Sequence, residues 1–147
     1  MPRIRSATLG DLPALAALES AVFAAEAYPP FFLRQALDLW PEWLRVAEAE
    51  GAIAGSILAA PALERYEACI LSLAVSPAHR GAGTGRALLD DLLAALRAHD
   101  VALVWLTVHP GNPAKRLYER AGFRVAAAED SYFGPAEPRL RLERRLR

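Results

Sequence analysis

The sequence contains a single cysteine, Cys69, and this scarcity excludes an intrachain disulfide. Because Cys69 lies in an apolar run, we expect it to be a small buried side chain. The sequence has no run of about 18 apolar residues, so we expect no membrane-spanning segment. Arg3 and Arg5 precede a polar turn rather than an apolar stretch, which predicts no signal peptide and a cytoplasmic protein.

The sequence also lacks an excess of charge of either sign. Lys plus Arg and Asp plus Glu each number 17, so the formal net charge is zero. Broad nucleic-acid binding needs surplus basic residues to displace counterions, so we expect no nucleic-acid partner. The locally basic residues 139–147 are interpreted as the solvated side of a terminal strand. The length of 147 residues predicts one globular domain, 1–147.

Hydrophobic periodicity predicts an α/β protein with a mixed sheet of about seven strands and helices on both faces. The strands are predicted at 2–8, 43–49, 52–60, 66–75, 101–108, 123–132 and 138–146. The helices are predicted after Gly10-Asp11, with a break at Tyr28-Pro29-Pro30, and at 31–39, 84–98 and 113–121. The strands 66–75 and 101–108 are apolar on both faces, which is typical of the middle of a covered sheet.

Three glycines connect the strand at 66–75 to the helix at 84–98. Gly81, Gly83 and Gly85 allow positive φ and bring main-chain N–H groups close to a ligand. The helix N-terminus adds unpaired donors and partial positive charge, which together predict a phosphate or pyrophosphate site. Arg80 and Arg86 add positive charge at its rim.

Two familiar phosphate loops fit this segment poorly. A Walker loop requires Lys and then Ser or Thr after Gly85, but Arg86 follows it. A dinucleotide loop, Gly-x-Gly-x-x-Gly, requires glycine at the position of Arg86. Asp100 does lie near the distance expected of a ribose-binding carboxylate, so a nicotinamide-dinucleotide binder stays an alternative.

Two segments carry a resemblance to a known family. Residues 80–85, Arg-Gly-Ala-Gly-Thr-Gly, resemble the Arg/Gln-x-x-Gly-x-Gly/Ala signature of the GCN5-related N-acetyltransferases, the GNAT superfamily. Residues 112–123 are similar to the family's second segment, Asn…Ala-x-x-Leu-Tyr-Glu-x-x-Gly-Phe. The predicted order of elements also matches the family fold along nearly the whole chain.

The resemblance implies acetyl-CoA as cosubstrate, a primary amine as acceptor, and no metal. The amine would attack the thioester directly in a ternary complex. Asn112 would hydrogen-bond the pantetheine arm, and Tyr118 would protonate the departing sulfur. The pyrophosphate would bind the segment Arg80, Gly81, Ala82, Gly83, Thr84, Gly85 and Arg86. The pantetheine arm would pair with the strand edge at Leu73, Ala74 and Val75.

The sequence offers two candidates for the residue that deprotonates the amine. Glu67, at the start of the central strand, and His109, past the other buried strand, are both candidates. Within this family the sequence most resembles the ribosomal-protein N-terminal acetyltransferases. That subfamily has a catalytic glutamate in the strand before the asparagine. Leu106 and Thr107 occupy that place here, so this strand supplies no base.

The acceptor pocket has no sequence motif of its own. The resemblance implies that the first two helices and the last strands build it, with five aromatic candidates: Tyr28, Phe31, Phe32, Trp40 and Tyr132. We expect the acceptor to be the amine of a small molecule or of a peptide. The sequence does not decide between a monomer and a homodimer. A CoA-binding sensor that has lost turnover is the alternative function.

Overall fold

The computed structural model describes residues 2–147. Its strands are β1 (Arg3–Ser6), β2 (Leu44–Ala49), β3 (Ala52–Pro61), β4 (Glu67–Val75), β5 (Leu103–Val108), β6 (Arg124–Glu129) and β7 (Arg139–Arg145). Its helices are α1 (Leu12–Phe23), α2 (Pro30–Leu39), α3 (Thr84–Ala98) and α4 (Ala114–Arg120). The predicted order of elements is confirmed, and every strand except β3, which extends one residue further, is shorter than the apolar pattern indicates. Val101, for example, is buried in the core although it precedes β5.

The seven strands form one sheet in the order β1-β2-β3-β4-β5-β7-β6. Only β4 and β5 pair in parallel, because α3 crosses over between them, and every other neighbouring pair is antiparallel. β7 lies between β5 and β6, so the last hairpin folds back into the sheet. The predicted mixed α/β fold is confirmed.

Helices cover both faces of the sheet, as predicted. α3 buries an apolar face formed by Leu88, Leu89, Leu92, Leu93 and Leu96. On the opposite face, α1 and α2 contribute Leu15, Leu33 and Leu37 to a second core with Val46 and Leu58. Each buried leucine contributes roughly 1.5–3 kcal/mol through removal of apolar surface from water.

A buried ion pair anchors the start of α1. Arg5, on β1, donates to both oxygens of Asp11 at 2.7 and 3.0 Å, and the Thr8 main-chain N–H donates to Oδ2 at 2.8 Å. The Arg5 hydrogen bonds outweigh burial and lower the pKa of Asp11 to about 2. The charge of Asp11 is therefore compensated within the protein.

Candidate active site

The two central strands separate partway along their length. The parallel ladder between β4 and β5 covers only three pairs, Glu67–Leu103, Ala68–Val104 and Cys69–Trp105. Beyond this point β4 continues to Val75 on β3, while β5 follows β7. The separation leaves the β5-facing edge of β4 open to a ligand.

The second face of β4 and β5 is covered less completely than their apolar pattern predicts. Ala68, Ile70, Val104, Leu106 and Val108 are buried against the α3 side. The alternate residues are only half-buried, because they form the wall of a cavity. Those wall residues include Cys69, Leu71, Trp105 and Thr107. The apolar character of the second face therefore reflects a site rather than the interior of a layer.

The glycine-rich loop presents a row of free main-chain donors. Gly81 and Gly83 have φ values of 80° and 82°, in the region that glycine adopts without strain. None of the six main-chain N–H groups from Gly81 to Arg86 donates a hydrogen bond within the residues that the structure describes. Gly83 is also the N-cap of α3, whose first turn leaves its donors unpaired. This arrangement fits a pyrophosphate.

The two arginines of this loop point to different partners. Arg80 Nε donates to the carbonyl of Val75 at 3.3 Å, which ties the loop back to the end of β4. Arg86 is exposed and donates to Asp90 at 3.0 Å, one helical turn further along α3. Thr84 is buried, and its methyl group packs toward Gly55 on β3.

The two sequence segments that carry the resemblance meet at the first turn of α3. A β-carbon placed on Gly85 would lie 3.4 Å from Leu117 Cδ2 and 3.5 Å from Val75 Cγ2. These are ordinary van der Waals distances, so the first turn of α3 packs against both α4 and the end of β4 at this position. Tyr118, the next residue of α4, is buried in the core on the α3 side and lies near Cys69, which belongs to the last pair of the β4–β5 ladder.

Tyr118 is 5% exposed, and its ring packs edge-on against Phe123, with centroids 5.5 Å apart. Burial raises the pKa of Tyr118 above its usual range, and the nearby Cys69 thiol raises it further. Burial also raises the pKa of Cys69, to about 11. Both groups are therefore protonated at neutral pH, and Tyr118 has a proton to give.

Asn112 and His109 lie in the exposed turn before α4. Asn112 Oδ1 accepts from the Ala114 main-chain N–H at 2.9 Å, and this bond starts the helix. The side-chain NH₂ of Asn112 is the group left to bind a ligand. His109 Nδ1 accepts from the Gly111 main-chain N–H at 3.0 Å, and His109 does not line the cavity.

A cavity of about 610 Å³ opens on the face of β4 and β5 that α3 does not cover. Its wall comprises residues of α1, of the segment after it, of β4 and β5, and of the connection from β6 to β7. Three carboxylates and one guanidinium lie on this wall: Glu19, Glu26, Glu137 and Arg139. A cavity of this size accommodates a small molecule or the end of a peptide.

Two of the five aromatic residues predicted for the acceptor pocket line this cavity, Tyr28 and Tyr132. Phe32 and Trp40 pack against the core under α2 instead, and Phe31 is exposed. The wall also contains three aromatic residues that the sequence did not single out, Phe23, Trp105 and Phe133. They lie on different elements, and no local spacing connects them.

Glu67 lies on β4 outside the cavity wall. Its carboxylate is 4.0 Å from Arg141, whose guanidinium also stacks over the Trp105 ring at 4.1 Å from the centroid. Glu67 precedes Val75, where the glycine loop begins, by eight residues of extended chain, which span roughly 26 Å. The structure thus places Tyr118 near the last pair of the β4–β5 ladder and leaves Glu67 outside the cavity wall.

Two absences hold across residues 2–147. No helix in this part of the chain combines the length and the apolarity that crossing a bilayer requires. Across the same residues, no three His, Cys, Asp or Glu side chains are grouped so that they could hold a metal ion.

Comparison with known proteins identifies the family to which this chain belongs. The model of the acetyltransferase (GNAT) family matches residues 13–123, more than half of the chain. The chain belongs to the GNAT acetyltransferase family.

Among its relatives is the [ribosomal protein bS18]-alanine N-acetyltransferase of Escherichia coli K12, 38% identical over 74 residues, which are 50% of each chain. An N-alpha-acetyltransferase of Sulfolobus acidocaldarius is 28% identical, over 92% of this chain and 87% of its own length. Ard1 from Thermoplasma volcanium superimposes with a TM-score of 0.90 at 26% identity, covering 99% of this chain and 98% of its own. The match to the bS18 enzymes thus spans about half of their length.

Proposed function

We propose that this protein transfers the acetyl group of acetyl-CoA to a primary amine, with a peptide amine as the favoured acceptor. The observation that carries the proposal is the row of free N–H groups from Gly81 to Arg86, beside a gap between β4 and β5 that begins near the buried Tyr118. An extended CoA thioester would then meet three features in turn. These are the loop for its pyrophosphate, the edge of β4 for its pantetheine arm, and the buried Tyr118 hydroxyl for its sulfur.

In this proposal each part of CoA meets a different part of the chain. The N–H groups of the loop bind the pyrophosphate, and the edge of β4 at Leu73, Ala74 and Val75 pairs with the pantetheine arm. Asn112 has only its NH₂ group free, so it would donate to a carbonyl of the arm. Family membership and the CoA- and acyl-CoA-bound structures that share this fold support acetyl-CoA as cosubstrate.

The reaction then proceeds by direct attack in the ternary complex. The amine attacks the thioester carbonyl, and a main-chain N–H at the open edge of β4 stabilises the oxyanion. When the intermediate collapses, the sulfur leaves and takes the proton of the Tyr118 hydroxyl. The raised pKa of Tyr118 supports this role, because it keeps the hydroxyl protonated until the thiolate forms.

Neither general base that the sequence suggested is well placed. Glu67 stays a prediction, and its place outside the cavity wall and its contact with Arg141 weigh against it. His109 is held by the turn at Gly111 and does not line the cavity. A carboxylate on the cavity wall is better placed than either.

Relatives support a peptide acceptor, since they include enzymes described as acting on an alanine of a ribosomal protein and on α-amines. We further propose a single catalytic domain, 1–147, in the cytoplasm, that acts without a nucleic-acid or membrane partner and without a metal. A homodimer is compatible with this proposal and is not required by it.

The test measures free thiol released from acetyl-CoA in the presence of an alanine tetrapeptide amide with a free N-terminus. The same peptide with an acetylated N-terminus is the matched control. We expect release with the free peptide alone. A panel of small amines run beside it decides whether the acceptor is a small molecule. Firm CoA binding with no release from any amine would favour the sensor, and binding of NAD in preference to acetyl-CoA would favour the dinucleotide binder.

A further inference from the structure

Glu19 on α1 is a buried carboxylate that none of the steps above uses. It is 3% exposed and lines the acceptor cavity. Its Oε1 accepts from the Tyr28 main-chain N–H at 3.2 Å, and its Oε2 accepts from the Ser72 hydroxyl at 3.0 Å. Both donors are neutral, and no basic side chain among residues 2–147 forms an ion pair with Glu19. An uncompensated buried carboxylate is costly, so a cationic ligand would stabilise it.

The position of Glu19 relates directly to the CoA path. Ser72 directly precedes Leu73, the first residue of the strand edge assigned to the pantetheine arm. At this point β4 has a bulge, because Ile70 and Ser72 pair with adjacent residues of β3 and Leu71 is left over. The Leu71 carbonyl accepts from the Tyr28 hydroxyl at 3.3 Å. Glu19 therefore lies at the bulge, across the cavity from β5.

We propose that Glu19 binds the ammonium group of the acceptor and takes its proton before the attack. This inference rests on the acetyltransferase function proposed above and adds the residue that prepares the amine. The carboxylate would receive the ammonium as its missing cationic partner, within reach of the thioester end of the pantetheine arm.

The proton balance starts from an ammonium with three N–H hydrogens and ends at an amide product with one. Glu19 takes the first proton, and the free amine forms the C–N bond to the acetyl carbon. The C–S bond then breaks, and Tyr118 gives its proton to the sulfur. The second proton from nitrogen restores Tyr118 through solvent in the cavity. Glu19 releases its proton to water after the product leaves.

Burial raises the pKa of Glu19 above its ordinary value, and the hydrogen bonds from Tyr28 and Ser72 oppose that rise. A raised pKa makes the carboxylate a stronger base toward an ammonium. The other titratable or charged groups that face the cavity from the surrounding elements are Tyr28, Glu26, Cys69, Tyr132, Glu137 and Arg139.

None of the neighbouring acids fits the same role. Glu26 and Glu137 are exposed at the rim, where water compensates their charge. Thr107 lies on the β5 wall but carries no titratable group. Glu19 is therefore the buried carboxylate on this wall that lacks a cationic partner.

The first test is Glu19→Gln, which keeps the shape and allows both hydrogen bonds, since the amide oxygen can accept from Tyr28 and the NH₂ can donate to Ser72 Oγ. We expect kcat to fall by about 10²–10⁴-fold. The melting-temperature shift with acetyl-CoA should stay at the wild-type value. If Glu19 only ties the bulge to the segment after α1, the melting temperature falls while kcat per folded molecule stays level, and the inference is overturned.

The second test is the pH profile of kcat/KM with Ser72→Ala. Loss of a hydrogen bond that lowers the pKa of Glu19 should move the acid limb upward by about one pH unit. The matched control is Asp11→Asn, which removes another buried carboxylate, at the start of the same helix. It should lower the melting temperature and leave the profile unchanged. An acid limb that Ser72→Ala leaves in place, or that Glu67→Gln abolishes, contradicts the inference.

The third test does not need turnover. With CoA bound, the free alanine tetrapeptide amide should bind wild type at least about tenfold more tightly than the N-acetylated peptide. Glu19→Gln should lose this preference, and an unchanged preference would overturn the inference. If wild type releases no thiol from acetyl-CoA with any amine, the proposed function fails, and this binding experiment still decides whether Glu19 holds an ammonium.

Discussion

The acetyl-CoA side and the acceptor side of the site are built by different means. On the proposed acetyl-CoA side, the main-chain N–H groups from Gly81 to Arg86 are free to bind phosphates that are the same for every acceptor. On the acceptor side, side chains from α1, β4, β5 and the β6–β7 connection surround a cavity of about 610 Å³. The first side needs glycines at fixed positions, whereas the second needs shape and charge from scattered residues.

This difference explains why one side has a sequence signature and the other has none. Main-chain donors depend on backbone conformation, and only glycine supplies positive φ without strain, so the loop leaves a readable pattern. A cavity wall can be built from many side chains of similar size. The acceptor side is therefore free to vary with the substrate.

The largest effect is expected at Tyr118, where the two sides meet. Tyr118→Phe should lower kcat by about 10²–10⁴-fold, because the proton donor for the sulfur is lost. The pKa of the hydroxyl reflects burial and Cys69 rather than a hydrogen bond. Its loss should therefore change the free energy of unfolding by less than about 0.5 kcal/mol. Steady-state kinetics and thermal unfolding on one preparation check both, and wild-type turnover by the variant would leave water as the proton source.

The next prediction tests whether the glycine loop binds acetyl-CoA or is only a turn between β4 and α3. Gly83→Val should abolish the stabilisation by acetyl-CoA, because the side chain strains a residue at φ 82° and blocks the main-chain donors. Gly51→Val is the matched control. Gly51 has φ 78° in the β2–β3 turn, and a β-carbon placed on it, as on Gly83, would meet no heavy atom within 4 Å.

Both valine variants should lose similar intrinsic stability, but Gly51→Val should keep the full acetyl-CoA shift in melting temperature. A shift retained by Gly83→Val, or lost equally by both variants, would show that the loop does not bind the cosubstrate.

A smaller effect contrasts two buried carboxylates, Asp11 at the start of α1 and Glu19 on the cavity wall. The folded-state pKa of Asp11 is below its unfolded value, so its stabilisation is present above about pH 4 and lost as the pH falls toward 2. The wild-type advantage over Asp11→Asn should shrink by about 2 kcal/mol over that range. Glu19 has the opposite sign, because its raised pKa means that its stabilising contribution is lost as pH rises through the folded-state pKa.

Glu19→Gln should therefore gain stability relative to wild type as the pH rises above the ordinary glutamate pKa of about 4.3. Denaturant unfolding at several pH values measures both trends. If both variants showed the same pH trend, the claim that Asp11 has a cationic partner and Glu19 has none would be contradicted.

The smallest effect concerns the rim of the cavity. Phe133 is 65% exposed, and its ring lies 4.9 Å from the Arg139 guanidinium. Phe133→Ala should raise KM for the amine by about two- to fivefold, as expected for loss of an exposed contact of roughly 0.5–1 kcal/mol. Affinity for acetyl-CoA should not change. Initial rates at varied amine and saturating acetyl-CoA test this, and a large fall in kcat would place Phe133 in the chemistry instead.

The sequence predicted the acetyl-CoA side in detail. The helix at 84–98, the strand order along the chain and the position of the glycine loop follow from periodicity and turn chemistry, and the structure has them. The role of Tyr118 as proton donor stays a prediction from the second family segment, and the structure shows that this segment contacts the glycine loop through Leu117 and Gly85.

The acceptor side was predicted only in outline. Phe32 and Trp40 have the same apolar character as Tyr28, and only the packing of α2 decides that they belong to the core. In the sequence, Glu19 looks like any solvated glutamate on a helix. In the structure it is bonded to Ser72, which is 53 residues away, and no local pattern predicts that contact. The half-buried face of β4 looks like a core strand in sequence, because a cavity wall is as apolar as an interior.

The most direct test of the account is the melting temperature of the wild-type protein with and without acetyl-CoA. A ligand that binds only the native state at 100 times its Kd should add about 2.7 kcal/mol to the free energy of unfolding. We predict a rise that grows with the logarithm of the acetyl-CoA concentration and reaches that size at about 100 times Kd, which Gly83→Val removes and Gly51→Val keeps. No rise at millimolar acetyl-CoA would contradict the assignment of residues 81–86 as the acetyl-CoA site, and with it the proposed reaction.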